Sequence, residues 1–195
     1  MRPLAAFAFA ALLSTNVRAA EPLWVSFRDD GDFHSGVQLR CISAPADAKI
    51  PLYGYLIKID PTPRAWTGGI FDDFATHVHW MFDLQDDARA RNAFKLGEWA
   101  HMRVETIGPS LKVWVNGIPT CNLIDYTYTR GPIALKIHSL GDEPEQETIA
   151  VYFKNIRIIA DYPGHYTQPM DLSARSAPGW TAEEIAHRER VQGQK

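Results

Sequence analysis

The sequence predicts an all-β domain, a sandwich of two antiparallel sheets, on three observations. From residue 20 onward the chain reads as short runs in which apolar and polar side chains alternate, the period of a strand with one buried face. Gly, Pro, Asn and Asp punctuate these runs, and no long stretch at helical spacing occurs before residue 180. The runs are numerous enough to form two packed sheets, which bury their oily faces against each other.

Each element follows from local chemistry. Arg2 gives a short basic start, Leu4 to Leu13 is an apolar run too short to span a bilayer, and Val17-Arg18-Ala19 offers small residues for a signal peptidase. Residues 1–19 are therefore expected to be an export signal, with Ala20 opening a mature chain in a bacterial periplasm or the medium. No later segment is apolar enough to cross a membrane, so no membrane span is expected. The predicted strands are 22–28, 35–43, 53–60, 66–72, 98–108, 111–119, 132–139 and 149–159. Asn116-Gly117, between Val115 and Ile118, is a strong hairpin signal, and Gly108-Pro109-Ser110 turns the chain one strand earlier. Residues 74–95 read as one long connection. Residues 20–160 form the predicted domain. A polar tail, 161–195, follows, in which Thr181 to Glu184 is a capping-box pattern opening a short helix.

Composition excludes some functions. A formal net charge of -3, with lysines and arginines scattered, gives no basic stripe for nucleic acid. The pair His77 and His79, with Asp72 or Asp73 nearby, has metal-ligand spacing, but spacing this short recurs by chance, and neither a metal nor a cofactor is expected. Two readings of Cys41 and Cys121 stand: a disulfide across a long loop, worth ~4 kcal/mol, or two buried thiols. Trp66, Trp80, Trp99 and Trp114 are candidate stacking surfaces for a sugar ring; Trp80, in the long connection, is the best placed.

Strand parity sorts the polar residues. If Val37 and Leu39 face the core, Gln38 and Arg40 share the other face. If Tyr55, Ile57 and Ile59 face the core, Leu56, Lys58 and Asp60 lie opposite. Ile133, Leu135 and Ile137 likewise leave Lys136 and His138. These rows either meet water on a solvated face or converge in one concave hollow, where they would hold a sugar and supply a proton donor and acceptor.

The blocks "DFHSGVQLR", "GYLIKIDPTPRAWTGGIFDD", "FKLGEWAHMRVETIGPSLKVWVNGIP", "GPIALKIHS" and "VYFKNIRI" resemble, in order and spacing, the 3-keto-disaccharide hydrolase domain family over roughly residues 23–160. The resemblance implies a concanavalin-like jelly-roll sandwich, here lacking the family's usual N-terminal strands. It also implies exported sugar metabolism and cleavage of glycosides already oxidised to a ketone at C3. Such a ketone acidifies the C2 proton, so a modest base removes it and the glycosidic oxygen leaves by elimination. Carried over by position, His138 exchanges the proton, Asp60 is a partner base or orients the sugar, and Arg40 stabilises the enolate. Gln38, Lys58, Lys136, Trp80 and Asp72 are the expected substrate-binding residues. Lys58 departs from the acidic or amide side chain common in that stretch of the family. That departure keeps a non-catalytic carbohydrate-binding module, or a degenerate fragment of the family, as alternatives to the enzyme.

Overall fold

The computed structural model describes residues 9–12, 20–31, 35–43, 52–72, 79–137 and 150–178. The described strands are β1 (Phe9–Leu12), β2 (Ala20–Asp29), β3 (Ser35–Ser43), β4 (Leu52–Ile59), β5 (Ile70–Asp72), β6 (His79–Phe82), β7 (Ala100–Ile107), β8 (Ser110–Val115), β9 (Ile118–Ile124), β10 (Ala134–Ile137), β11 (Val151–Ile158) and β12 (Arg175–Ser176). They form two six-stranded sheets, ordered β1-β10-β3-β4-β5-β6 and β11-β2-β7-β8-β9-β12. All pairings are antiparallel except the short β12 on β9. The predicted jelly-roll sandwich is the observed fold.

Alternation decides which side chains fill the space between the sheets. Val37, Leu39, Tyr55, Ile57, Ile59 and Ile70 project from the first sheet against Leu23, Val25, Phe27, Met102, Val104 and Val113 of the second. Removing this hydrocarbon from water is the main force closing the sandwich. Turn chemistry sets the register. Asn116 and Gly117 both take positive φ (49° and 78°), the left-handed pair that a tight hairpin needs, and so join β8 to β9.

The sequence reading departs from the structure in identifiable places. The long connection holds a strand, β6, and a one-turn helix α1 (Ala88–Arg91), whose N-cap Asp87 accepts from the Ala90 N–H at 2.8 Å. The strand predicted over 66–72 shrinks to 70–72, because Trp66 to Gly69 form turns closed by the Gly69 N–H donating to the Trp66 carbonyl. Within the expected export signal, Phe9–Leu12 lies along the outer edge of β10. The capping box at Thr181 lies outside the described residues. Cys41 and Cys121 are buried thiols in different sheets, with no disulfide between them.

Candidate functional site

The outer face of the first sheet carries two cross-strand rows. One runs Ala134, Gln38, Leu56, Phe71, Trp80 through β10, β3, β4, β5 and β6. The next runs Lys136, Gly36, Lys58. Four of the sequence candidates therefore share one face: Gln38, Lys58 and Lys136, as parity predicts, and Trp80 of the long connection. Lys136 and Lys58 stand on either side of one central strand, a Cα separation of about 10 Å from two strand spacings. Gly36 between them is a requirement of packing. A Cβ there would sit 2.3 Å from the Ile57 carbonyl oxygen and 2.8 Å from Leu56 Cδ1. Gly36→Ala is accordingly expected to cost about 1–3 kcal/mol of stability and to disturb both lysines, checked by chemical denaturation alongside turnover.

This face is far from evenly solvated. Gln38, Leu56, Lys58 and Lys136 are all buried, Lys58 being 4 % and Lys136 2 % exposed. Access improves toward β5 and β6, where Phe71 and Trp80 are half-buried. There the aromatic rings form a wall: Trp80 meets Phe71 edge-on at 5.3 Å and Trp66 edge-on at 4.8 Å. The Lys58 ammonium lies 5.3 Å from the Phe71 ring and the Arg64 guanidinium 4.9 Å from both indoles, so cations face the π surfaces at each end.

Asp60 holds that wall together. Its carboxylate accepts from Arg64 Nε at 2.8 Å, from the other arm of the same guanidinium at 2.7 Å, and from the Thr62 hydroxyl at 2.7 Å. The Asp60 N–H donates to Thr67 Oγ1, and Thr67 Oγ1 donates back to the Asp60 carbonyl. Residues 60–67 thus form an internally bonded loop that presents Arg64 and Trp66. Through these bonds Asp60 organises the wall.

The other sequence candidates fall elsewhere. Arg40 sits in a β-bulge between Leu39 and Ile42 with φ +51°, and its guanidinium donates to the Tyr128 carbonyl at 3.0 Å. Asp72 pairs with Tyr55 on the core side of the sheet and accepts from the Tyr128 hydroxyl at 2.8 Å. Neither stands in the lysine rows. The parity rule failed for Arg40 because a bulge adds a residue and re-aims the side chain; Asp72, expected from the resemblance, falls on the core side because it shares the parity of Ile70. His138, Asp73 and His77 lie outside the described residues. Among the described residues no group of three or more His, Cys, Asp and Glu side chains is arranged to hold a metal. Sequence reasoning missed Arg64 and Phe71; the alternation Ile70, Phe71, Asp72 was the available signal for the second.

Comparison with known proteins adds the family. A model described as the 3-keto-alpha-glucoside-1,2-lyase-like domain matches residues 21–159. No curated protein matches the chain. Among solved structures, a carbohydrate binding module from Bacillus subtilis is similar at 12% identity and TM-score 0.55, over 79% of this chain and 92% of that one. A putative glycosyl hydrolase from Parabacteroides distasonis is similar at 22% identity and TM-score 0.50, over 74% and 79%. A Bacillus subtilis protein of unknown function with a galectin-like fold is similar at 11% identity and TM-score 0.50, over 78% and 76%. These likenesses are in fold. With the family model covering most of the sandwich, the chain belongs to the 3-keto-alpha-glucoside-1,2-lyase-like domain family, a carbohydrate-related β-sandwich.

Proposed function

We propose that this protein is an exported enzyme that cleaves 3-keto-glycosides at the outer face of the first sheet. The observation that carries this reading is the pair of buried lysines, Lys58 and Lys136, in one row beside the Phe71, Trp80 and Trp66 wall. In the proposed reaction a base takes the C2 proton and the electron pair forms an enolate with the C3 ketone. The enolate then collapses, C3=O re-forms, a C1=C2 double bond forms, and the C1–O bond breaks as the glycosidic oxygen takes a proton. Water adds later across the double bond. An ammonium group near the ketone oxygen lowers the energy of the enolate most where water is excluded. Lys58 and Lys136 suit that task better than Arg40, whose guanidinium is turned to the Tyr128 carbonyl. His138, one residue past the end of β10, is assigned the proton exchange. The sugar enters from the Trp80 side, where the face is more open, and an aromatic wall there suits the apolar face of a pyranose ring.

Export bears on access. Cleavage after Ala19 removes Phe9–Leu12, the strand lying along β10, so the burial of Lys136 is that of the chain with its leader attached. The second reading, a non-catalytic carbohydrate-binding module, is favoured by the commitment of Asp60 and Arg40 to the protein's own loops. One experiment separates the two. The chain starting at Ala20 is incubated with a 3-keto-disaccharide and with its unoxidised parent. Loss of the oxidised sugar alone, abolished in His138→Ala with an unchanged thermal transition, supports the enzyme. Saturable binding without turnover supports the module.

A further inference from the structure

We propose that the outer face of the second sheet holds a separate cleft for a sugar unit carrying a carboxylate. Cross-strand register lines up Arg157, Trp24, Arg103 and Trp114 on adjacent strands β11, β2, β7 and β8. A cavity of about 420 Å³ opens on this row, within the size range of small-ligand sites. It lies on the opposite side of the sandwich from the lysine rows.

The two arginines of the row differ in kind. Arg103 is fixed between the indoles, 4.7 Å from the Trp24 ring and 5.7 Å from Trp114, and its charge is met by Glu105 at 2.5 Å. It also donates to the Tyr166 carbonyl, and Glu105 is buried. Arg103 is therefore part of the wall. Arg157 is exposed and lies 5.1 Å from the Trp24 ring centre, and among the described residues no carboxylate is within ion-pair distance of it. Lys154, three residues earlier on the same strand, rests 3.6 Å over Trp99 and likewise has no acidic partner among the described residues. Among the described residues the β11 side of the cleft is thus positive without an acidic partner, its guanidinium already held against an aromatic ring. That geometry selects a planar anion that accepts two parallel hydrogen bonds.

The remaining groups point beyond a bare anion. Ser26 Oγ pairs with His101 Nδ1 at 2.9 Å and accepts from Asn155 Nδ2 at 3.4 Å. Those bonds leave His101 Nε2 and Asn155 Oδ1, one on each side of the serine, for neighbouring hydroxyls. Asn155 takes φ +54° at a bulge between Lys154 and Arg157, the kind of irregularity that re-aims a side chain beside a site. Paired donors and acceptors beside a guanidinium that has no acidic partner among the described residues together describe a hexuronate.

The test is titration of the purified protein with methyl glucuronoside, methyl glucoside and acetate, followed by calorimetry and tryptophan fluorescence. The glucuronoside is expected to bind at least tenfold more tightly than either of the others. Arg157→Ala, an exposed change, is expected to bring its affinity down to that of the glucoside, and Lys58→Met to leave it unchanged. Equal affinity for acetate would make this a plain anion site and overturn the proposal. So would equal affinity for the glucoside, no loss in Arg157→Ala, or no binding at all. Loss in Lys58→Met but not in Arg157→Ala would move binding to the first sheet, overturning this inference without touching the function proposed there.

Discussion

Lys58→Met is expected to lower kcat for a 3-keto-glucoside by about 10²–10³-fold, the usual effect of removing one group aimed at a developing oxyanion. The stem of methionine reproduces most of the lysine's length and removes the charge together with its N–H donors. Its thioether is tolerated beside the Phe71 ring, to which the ammonium lies at 5.3 Å. Taking a buried cation away from the groups that hold it costs stability, so a lowered melting temperature is expected beside the loss in turnover, and the two proteins are compared at a temperature where both are folded. Lys58→Arg is the control: it keeps the charge but is bulkier, and it is expected to recover part of the rate. Steady-state kinetics with matched melting curves read both effects. Wild-type kcat in the methionine variant would remove Lys58 from the chemistry. A raised KM with unchanged kcat would make it a substrate clamp.

The sandwich was legible in the sequence because strand periodicity and turn chemistry are local. The β3 limits at Ser35 and Ser43 follow from the alternation in "SGVQLRCIS", and the β8–β9 hairpin from Asn116-Gly117. The short β6 was hidden because His79-Trp-Met-Phe82 has two consecutive core residues, Met81 and Phe82, where the register slips by one. The site was half legible for the same reason. Gln38, Lys58 and Lys136 lie in regular ladder positions, where parity is a sound guide. Arg40 lies in a bulge, and Asp60 beyond the end of its strand, where a loop claims its carboxylate. The Trp24 and Arg103 row escaped notice because its members come from four separate strands, and only register brings them together.

Tyr55→Phe is expected to be the most damaging conservative change in the core, costing about 3 kcal/mol, the upper part of the range for a hydrogen bond to a charged group. Tyr55 spans the sandwich. Its hydroxyl donates to Asp125 at 2.5 Å, just past the end of β9, and accepts from the Tyr128 N–H at 3.1 Å. Its ring meets Tyr128 edge-on at 5.0 Å, and Tyr128 in turn engages Arg40 and Asp72. Removing one oxygen leaves a buried N–H without that acceptor and loosens the connection that anchors both residues. The same environment sets a pH dependence. Burial first, then the bond to Asp125, pushes the phenol well above its ordinary value of 10.0. Burial likewise raises the Cys121 thiol above 9.0. In both cases the folded chain keeps a proton that the unfolded chain loses, so stability is full below about pH 9 and falls as pH rises beyond it. Each such proton steepens the fall by about 1.4 kcal/mol per pH unit. Denaturant unfolding between pH 7 and 11 should show the steep limb in the wild type, and Tyr55→Phe should lack the share that begins at pH 10. An unchanged alkaline limb in the variant would mean that the phenol ionises as readily in the fold as out of it, and that the Tyr55–Asp125 bond contributes little to closing the sheets.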